Sequence, residues 1–169
     1  NIPIRIGVNA GSLSPELRER FGGATPEALV ESAMQHVRLL EEVDFYDMKI
    51  SVKASDIERT LAAYRLLSQT TNYPLHLGLT EAGTFLAGTV RSSVALGILL
   101  SEGIGDTIRI SVNGDPVKEM MICKQLLKCL KLIDNVPNLY ASIFIRYPSV
   151  IDLISYLFLD FGKFSIIPF

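Results

Sequence analysis

The sequence predicts an α/β fold of parallel strand–helix units, four of them, amounting to about half of an eight-stranded barrel. Three observations carry this expectation. Strand-like runs recur at roughly 30-residue intervals, a helical pattern follows each one, and every strand alternates apolar with polar residues.

The strands are read at Ile2–Asn9, Phe45–Lys53, Pro74–Thr80 and Thr107–Asn113, and the helices at Pro26–Val43, Asp56–Thr70, Thr89–Glu102 and Pro116–Leu132. Helix starts carry suitable chemistry. Thr25-Pro26-Glu27 offers an N-cap hydroxyl, a proline at the first helical position and an acid near the positive end of the helix dipole. Asp115-Pro116 repeats that pattern, Asp56 can cap the second helix, and Gly103 can close the third. A complete TIM-type barrel needs about 250 residues, so four units make half of one. An open doubly wound sheet is the alternative, but its glycine-rich phosphate loop after the first strand is missing; Gly11 and Gly22-Gly23 read as loop glycines without that spacing.

Strands buried by helices on both faces normally read as continuous Val, Ile and Leu. Here one face of each strand is apolar: Ile4, Ile6, Val8; Met48, Ile50, Val52; Leu75, Leu77, Leu79; Ile108, Ile110, Val112. The opposite face holds Arg5, Gly7, Asn9; Lys49, Ser51, Lys53; His76, Gly78, Thr80; Arg109, Ser111, Asn113. In a barrel this second face points inward, where branched apolar residues usually fill the space. A half-exposed antiparallel sheet also alternates, but it needs hairpins where this chain has long helical patterns. Four cations on an inner face require an anion, because an unpaired buried charge is strongly unfavourable. The sequence places few acids there, Glu81 being the nearest, so the expected counter-charge is a ligand. Arginine forks and lysine point charges suit phosphate oxygens. Asn9, Lys53, Glu81 and Asn113 fall at or just past strand ends, where barrel enzymes place their chemistry. His76 lies deeper, either as a hydrogen-bonded core residue or as a substrate contact, and His36 reads as structural.

Composition sets limits. Of 169 residues, 49% are hydrophobic and 20% charged, which is globular rather than disordered. The net charge of -2 speaks against a nucleic-acid binder, so any cationic site must be local. Cys123 and Cys129 lack both metal-site spacing and a disulfide framework and read as reduced thiols of a cytosolic protein. The chain opens on Asn1-Ile2-Pro3-Ile4, the entrance to a strand, without Met or a signal peptide, so a preceding portion is expected to be missing.

Several long motifs fall in order. They are Pro3-Ile4-Arg5-Ile6-Gly7-Val8-Asn9-Ala10-Gly11-Ser12, Thr25-Pro26-Glu27-Ala28-Leu29-Val30-Glu31-Ser32-Ala33, Lys49-Ile50-Ser51 and Lys53-Ala54-Ser55-Asp56. Leu75-His76-Leu77-Gly78-Leu79-Thr80-Glu81-Ala82-Gly83 and Glu102-Gly103-Ile104-Gly105-Asp106-Thr107-Ile108-Arg109-Ile110-Ser111 follow. With them the chain resembles the 4-hydroxy-3-methylbut-2-enyl diphosphate synthase family over residues 1–138. The resemblance implies an oxidoreductase of non-mevalonate isoprenoid (terpenoid) biosynthesis that reductively opens 2-C-methyl-D-erythritol 2,4-cyclodiphosphate and removes water. It implies a [4Fe–4S] cluster fed by flavodoxin or ferredoxin, and a homodimer in which a C-terminal cluster domain covers the partner's barrel. By resemblance, Arg5, Lys53, Arg109 and Ser111 hold the cyclic diphosphate; the inner-face reading alone adds Lys49 and, as one of its two readings, His76 as candidate substrate contacts. The resemblance also implies that Asn9 lies near the reacting carbon and the cluster, and that Glu81 reaches the cluster iron or acts in proton transfer. A different barrel enzyme, such as a pterin-binding synthase, explains the polar interior but not the motif series.

The chain departs from the family after Asn135-Val136-Pro137-Asn138. No cysteine follows Cys129, so the cluster ligands and their domain are expected to be absent. Residues 139–169 are apolar and aromatic-rich but interrupted by Arg146, Asp152, Asp160 and Lys163, leaving no run of the ~20 residues a membrane span needs. This tail reads as a shifted frame or gene-boundary artefact, the alternative being a natural divergent ending that packs on the barrel. The chain is expected to be a fragment, inactive alone, and the competing reading is a cluster-free remnant that binds a phosphate ligand without catalysis.

Overall fold

The structure is a computed structural model in which residues 2–80, 83–113 and 115–133 are described. The tail read at 139–169 lies outside the described residues.

Strands and helices alternate as expected. β1 (Ile4–Asn9) leads through a 3-10 turn (Ala10–Ser12) to α1 (Pro15–Phe21) and α2 (Pro26–Glu41). β2 (Met48–Lys53), α3 (Ile57–Thr70), β3 (His76–Gly78), α4 (Phe85–Ser101), β4 (Thr107–Arg109) and α5 (Pro116–Cys129) follow. β1 pairs with β2 and β3 with β4, both in parallel, and a single parallel bridge from Ile50 to Leu75 links the two pairs. The antiparallel alternative is therefore excluded. The described strands form an open parallel array in sequence order, not a closed barrel.

Three caps act as their sequence implies. The side chains of Thr25, Asp56 and Asp115 accept hydrogen bonds from the backbone N–H groups of Ala28, Arg59 and Val117. Helix α1 was not expected, although Ser14-Pro15-Glu16 carries the same signature as Thr25-Pro26-Glu27. Ser14 Oγ accepts from Leu17 N at 3.3 Å, and Gly22 closes the helix at φ 68°, a conformation glycine adopts without strain. Helix α4 begins at Phe85 rather than Thr89. Gly88, before the expected start, is buried within the helix.

β3 and β4 are shorter than the alternation predicts. Pro74 has no N–H to donate to a ladder, and beyond Arg109 the Val112 N–H turns to the Glu119 carboxylate at 3.0 Å instead of a strand. The apolar strand face meets the helices as expected. Ile50, Val52 and Leu77 are fully buried against Leu29 and Val37 of α2, Leu67 of α3, and Leu96 and Leu99 of α4. Each such side chain contributes about 1.5–3 kcal/mol when removed from water, which makes this one-sided core the source of the fold's stability. No helix among the described residues is long and apolar enough to cross a membrane.

Candidate functional site

Because paired residues in a parallel ladder point to the same side, the register decides which polar side chains become neighbours. Arg5 lies beside Lys49, Gly7 beside Ser51 and Asn9 beside Lys53; across the other pair, His76 lies beside Thr107 and Gly78 beside Arg109. The helices cover the opposite face, so this polar face opens to a cavity of about 500 Å³. Arg5, Gly7, Asn9, Ser51, Lys53, Thr80, Arg109 and Ser111 line it, with Leu79. A second cavity of about 500 Å³ shares Asn9 and Thr80 and continues over Ala10–Ser12 and Ser55, hydroxyl and amide groups without charge. The pair offers a cationic floor beside a neutral polar annex.

Among the described residues, the ion pairs join Arg38 to Glu31, Arg59 to Asp56 and Arg65 to Glu102. None involves Arg5, Lys49, Lys53 or Arg109. The consequence is visible in Lys53, whose pKa falls to about 8 through burial and through repulsion from Arg5 and Arg109. His76 is buried, and burial together with Lys53, Arg5, Lys49 and Arg109 lowers it to about 4, so it is neutral at physiological pH. Its Nδ1 bonds Thr107 Oγ1 at 2.8 Å, while Nε2 has no partner among the described residues. A dianion in this cavity would offset the repulsion around Lys53.

Tyr64 completes the floor from behind. It reaches from α3 into the gap between β2 and β3, where main-chain pairing is reduced to one bridge. Its hydroxyl donates to the His76 carbonyl at 2.6 Å. That uses its only proton, so the 3.3 Å contact with Ser51 Oγ has the serine as donor. Burial raises the Tyr64 pKa to about 12, keeping it a phenol. Ser51 consequently turns oxygen lone pairs, not its proton, toward the cavity.

Of the residues expected from sequence, Arg5, Asn9, Lys53, Arg109 and Ser111 come together around one cavity. Lys49 and His76 lie on the same face but do not line it. Glu81 lies outside the described residues. Tyr64 was missed, and its only sequence signal was a tyrosine on the apolar stripe of a helix. The described residues do not fit an iron–sulfur cluster. Cys123 is buried with its thiol pushed up by desolvation, whereas Cys129 is exposed. Six positions apart on a helix, at about 100° per residue, they face about 120° away from each other. No group of three or more His, Cys, Asp or Glu among the described residues is placed to hold a metal.

Residues 1–124 match the model of the GcpE TIM-barrel domain. The chain belongs to the GcpE TIM-barrel domain family. That match contains every candidate site residue and ends within α5. Relatives of this family include proteins named 4-hydroxy-3-methylbut-2-en-1-yl diphosphate synthase (flavodoxin). The one from Clostridium perfringens is 60% identical over 128 residues, 76% of this chain and 37% of the relative. The Geobacter sulfurreducens protein is 57% identical over 140 residues, 83% of this chain and 40% of the relative. The Acidithiobacillus ferrooxidans protein is 58% identical over 140 residues, again 83% of this chain and 38% of the relative. This GcpE-family chain thus spans about two-fifths of the length of these curated relatives.

Proposed function

We propose that this chain is the substrate-holding part of a 4-hydroxy-3-methylbut-2-en-1-yl diphosphate synthase, with residues 1–138 forming about half of its TIM-type barrel. The observation that carries the reading is the cavity floored by Arg5, Lys53 and Arg109 without a described carboxylate partner. The substrate is 2-C-methyl-D-erythritol 2,4-cyclodiphosphate, opened and dehydrated in isoprenoid biosynthesis. Its diphosphate sits over the cations, with Ser111 as a neutral hydrogen-bond partner and Lys49 and His76 supporting the floor from below. As the ring C–O bond breaks, negative charge grows on the departing phosphate oxygen, and fixed cations in a partly desolvated cavity stabilise it. Asn9 lines both cavities, which supports assigning it to the point where the polyol carbon meets the phosphates. Glu81 is assigned to proton transfer or to contact with iron.

The complete enzyme is a cytoplasmic homodimer that takes electrons from flavodoxin or ferredoxin and carries a [4Fe–4S] cluster. The described thiols do not fit that cluster, and this part of the enzyme is read as the one that binds and orients the substrate. Calorimetry with the cyclic diphosphate tests the reading. Binding should be measurable for the chain and weakened by about 1.5–3 kcal/mol in Arg109→Ala, the loss of a charge-assisted hydrogen bond. No heat of binding, or unchanged affinity in the variant, overturns it.

A further inference from the structure

Gly78 lies between two of the site's cations. It is the register partner of Arg109 on β4, and Lys53 extends over it from β2. A β-carbon built at Gly78 would stand 2.8 Å from Lys53 Nζ and 2.9 Å from its Cε, closer than atoms pack, and 3.2 Å from the Arg109 carbonyl oxygen. Its backbone does not occupy the left-handed region, so conformational freedom is not what the position demands. The volume a side chain would fill is taken instead by the lysine.

We infer that Gly78 is a positioning residue for the phosphate site, its missing side chain forming the track along which the Lys53 ammonium crosses β3 to stand beside Arg109. The inference rests on the phosphate-site reading for its functional meaning, but its geometry is independent of that reading. Lys53 is a long, flexible chain that would otherwise extend into water. Over Gly78 its ammonium stands in the cavity that Arg5 and Arg109 also line, where three cations can meet one anion. Desolvation and repulsion from those neighbours lower its pKa to about 8. Any side chain at position 78 pushes the ammonium outward, weakening anion binding while returning the lysine toward its ordinary titration range.

The test is a mutant cycle read with inorganic pyrophosphate by calorimetry and with ¹³C-lysine NMR. Gly78→Ala should weaken pyrophosphate binding about tenfold in the native background but less than about twofold in Lys53→Ala, because residues acting through one another are not additive. In the same variant the Lys53 resonance should titrate well above its native midpoint of about 8. Equal losses in both backgrounds, or an unmoved Lys53 midpoint, overturn the inference and assign the glycine to the tight approach of the Arg109 carbonyl. If Gly78→Ala does not fold, the double variant with Lys53→Ala decides. Recovery of folding shows that the two side chains compete for one space, and failure to recover places the conflict with the β4 backbone. A native chain that ignores pyrophosphate removes the phosphate-site reading, while the Lys53 titration still judges the track.

Discussion

Replacing Lys53 with methionine should make the ligand-free protein more stable while weakening its hold on phosphate. Methionine keeps the unbranched stem out to Cε beside Gly78 and removes the charged ammonium beyond it. The fall of the Lys53 pKa from 10.5 to about 8 corresponds to about 3.4 kcal/mol between its two protonation states, at about 1.36 kcal/mol per pH unit. Lys53 retains part of its surface in water, so screening reduces this to about 1–2 kcal/mol of strain relieved by the substitution.

The sign with pH follows from linkage. Between pH 8 and 10.5 the unfolded chain still holds the Lys53 proton that the folded chain has released, so native stability rises with pH across that window. Below pH 8 both states are protonated and the full strain is present. Urea unfolding at pH 7, 8.5 and 10 should therefore show Lys53→Met more stable than the native chain by about 1–2 kcal/mol at pH 7, with the gap narrowing toward pH 10. Saturating pyrophosphate should reverse the order at pH 7, because only the native chain gains the third cation's contact. A variant less stable than the native chain at pH 7, or a gap that does not change with pH, refutes the picture of a crowded, unneutralised cation cluster.

Three further outcomes follow from the same geometry. Tyr64→Phe should lower stability by about 1–2 kcal/mol in urea, since it strands the buried His76 carbonyl; no loss would mean that water replaces the phenol. His76 titrates near 4 when folded and near 6.5 when unfolded, so stability should fall as pH drops from 6.5 toward 4. His76→Gln should flatten that slope, and a parallel slope in the variant would acquit the histidine. Arg109→Ala should lose phosphate affinity with little change in melting temperature, because Arg109 is exposed and unpaired among the described residues; a large drop in melting would make it a structural residue.

Period-two alternation was enough to sort the strand faces, because a parallel ladder fixes both side and neighbour once helices cover one surface. Ile50 and Val52 went to the core and Ser51 and Lys53 to the cavity as their spacing requires. The caps were legible for the same local reason, since Thr25, Asp56 and Asp115 satisfy N–H groups within three residues. α1 was legible too, by the Ser14-Pro15-Glu16 signal, although the helix is only seven residues long. Tertiary contacts were not legible. Nothing local distinguishes Tyr64 from its apolar neighbours on α3, since its role depends on a gap between two strands that only the assembled sheet creates.

Gly78 shows the same limit more sharply. In sequence it is one more non-apolar position on an inward face, equivalent to Gly7. In the fold the two diverge: a β-carbon at Gly7 would meet nothing within 4 Å, whereas at Gly78 it would meet Lys53. The difference arises because the β1 side of the cavity is open, while Lys53 and Arg109 approach Gly78 from neighbouring strands. A small residue on the polar face is therefore informative only once the reach of the cations beside it is known. In this chain that reach joins charge to shape, because the space a side chain at position 78 would need is the space the Lys53 side chain occupies.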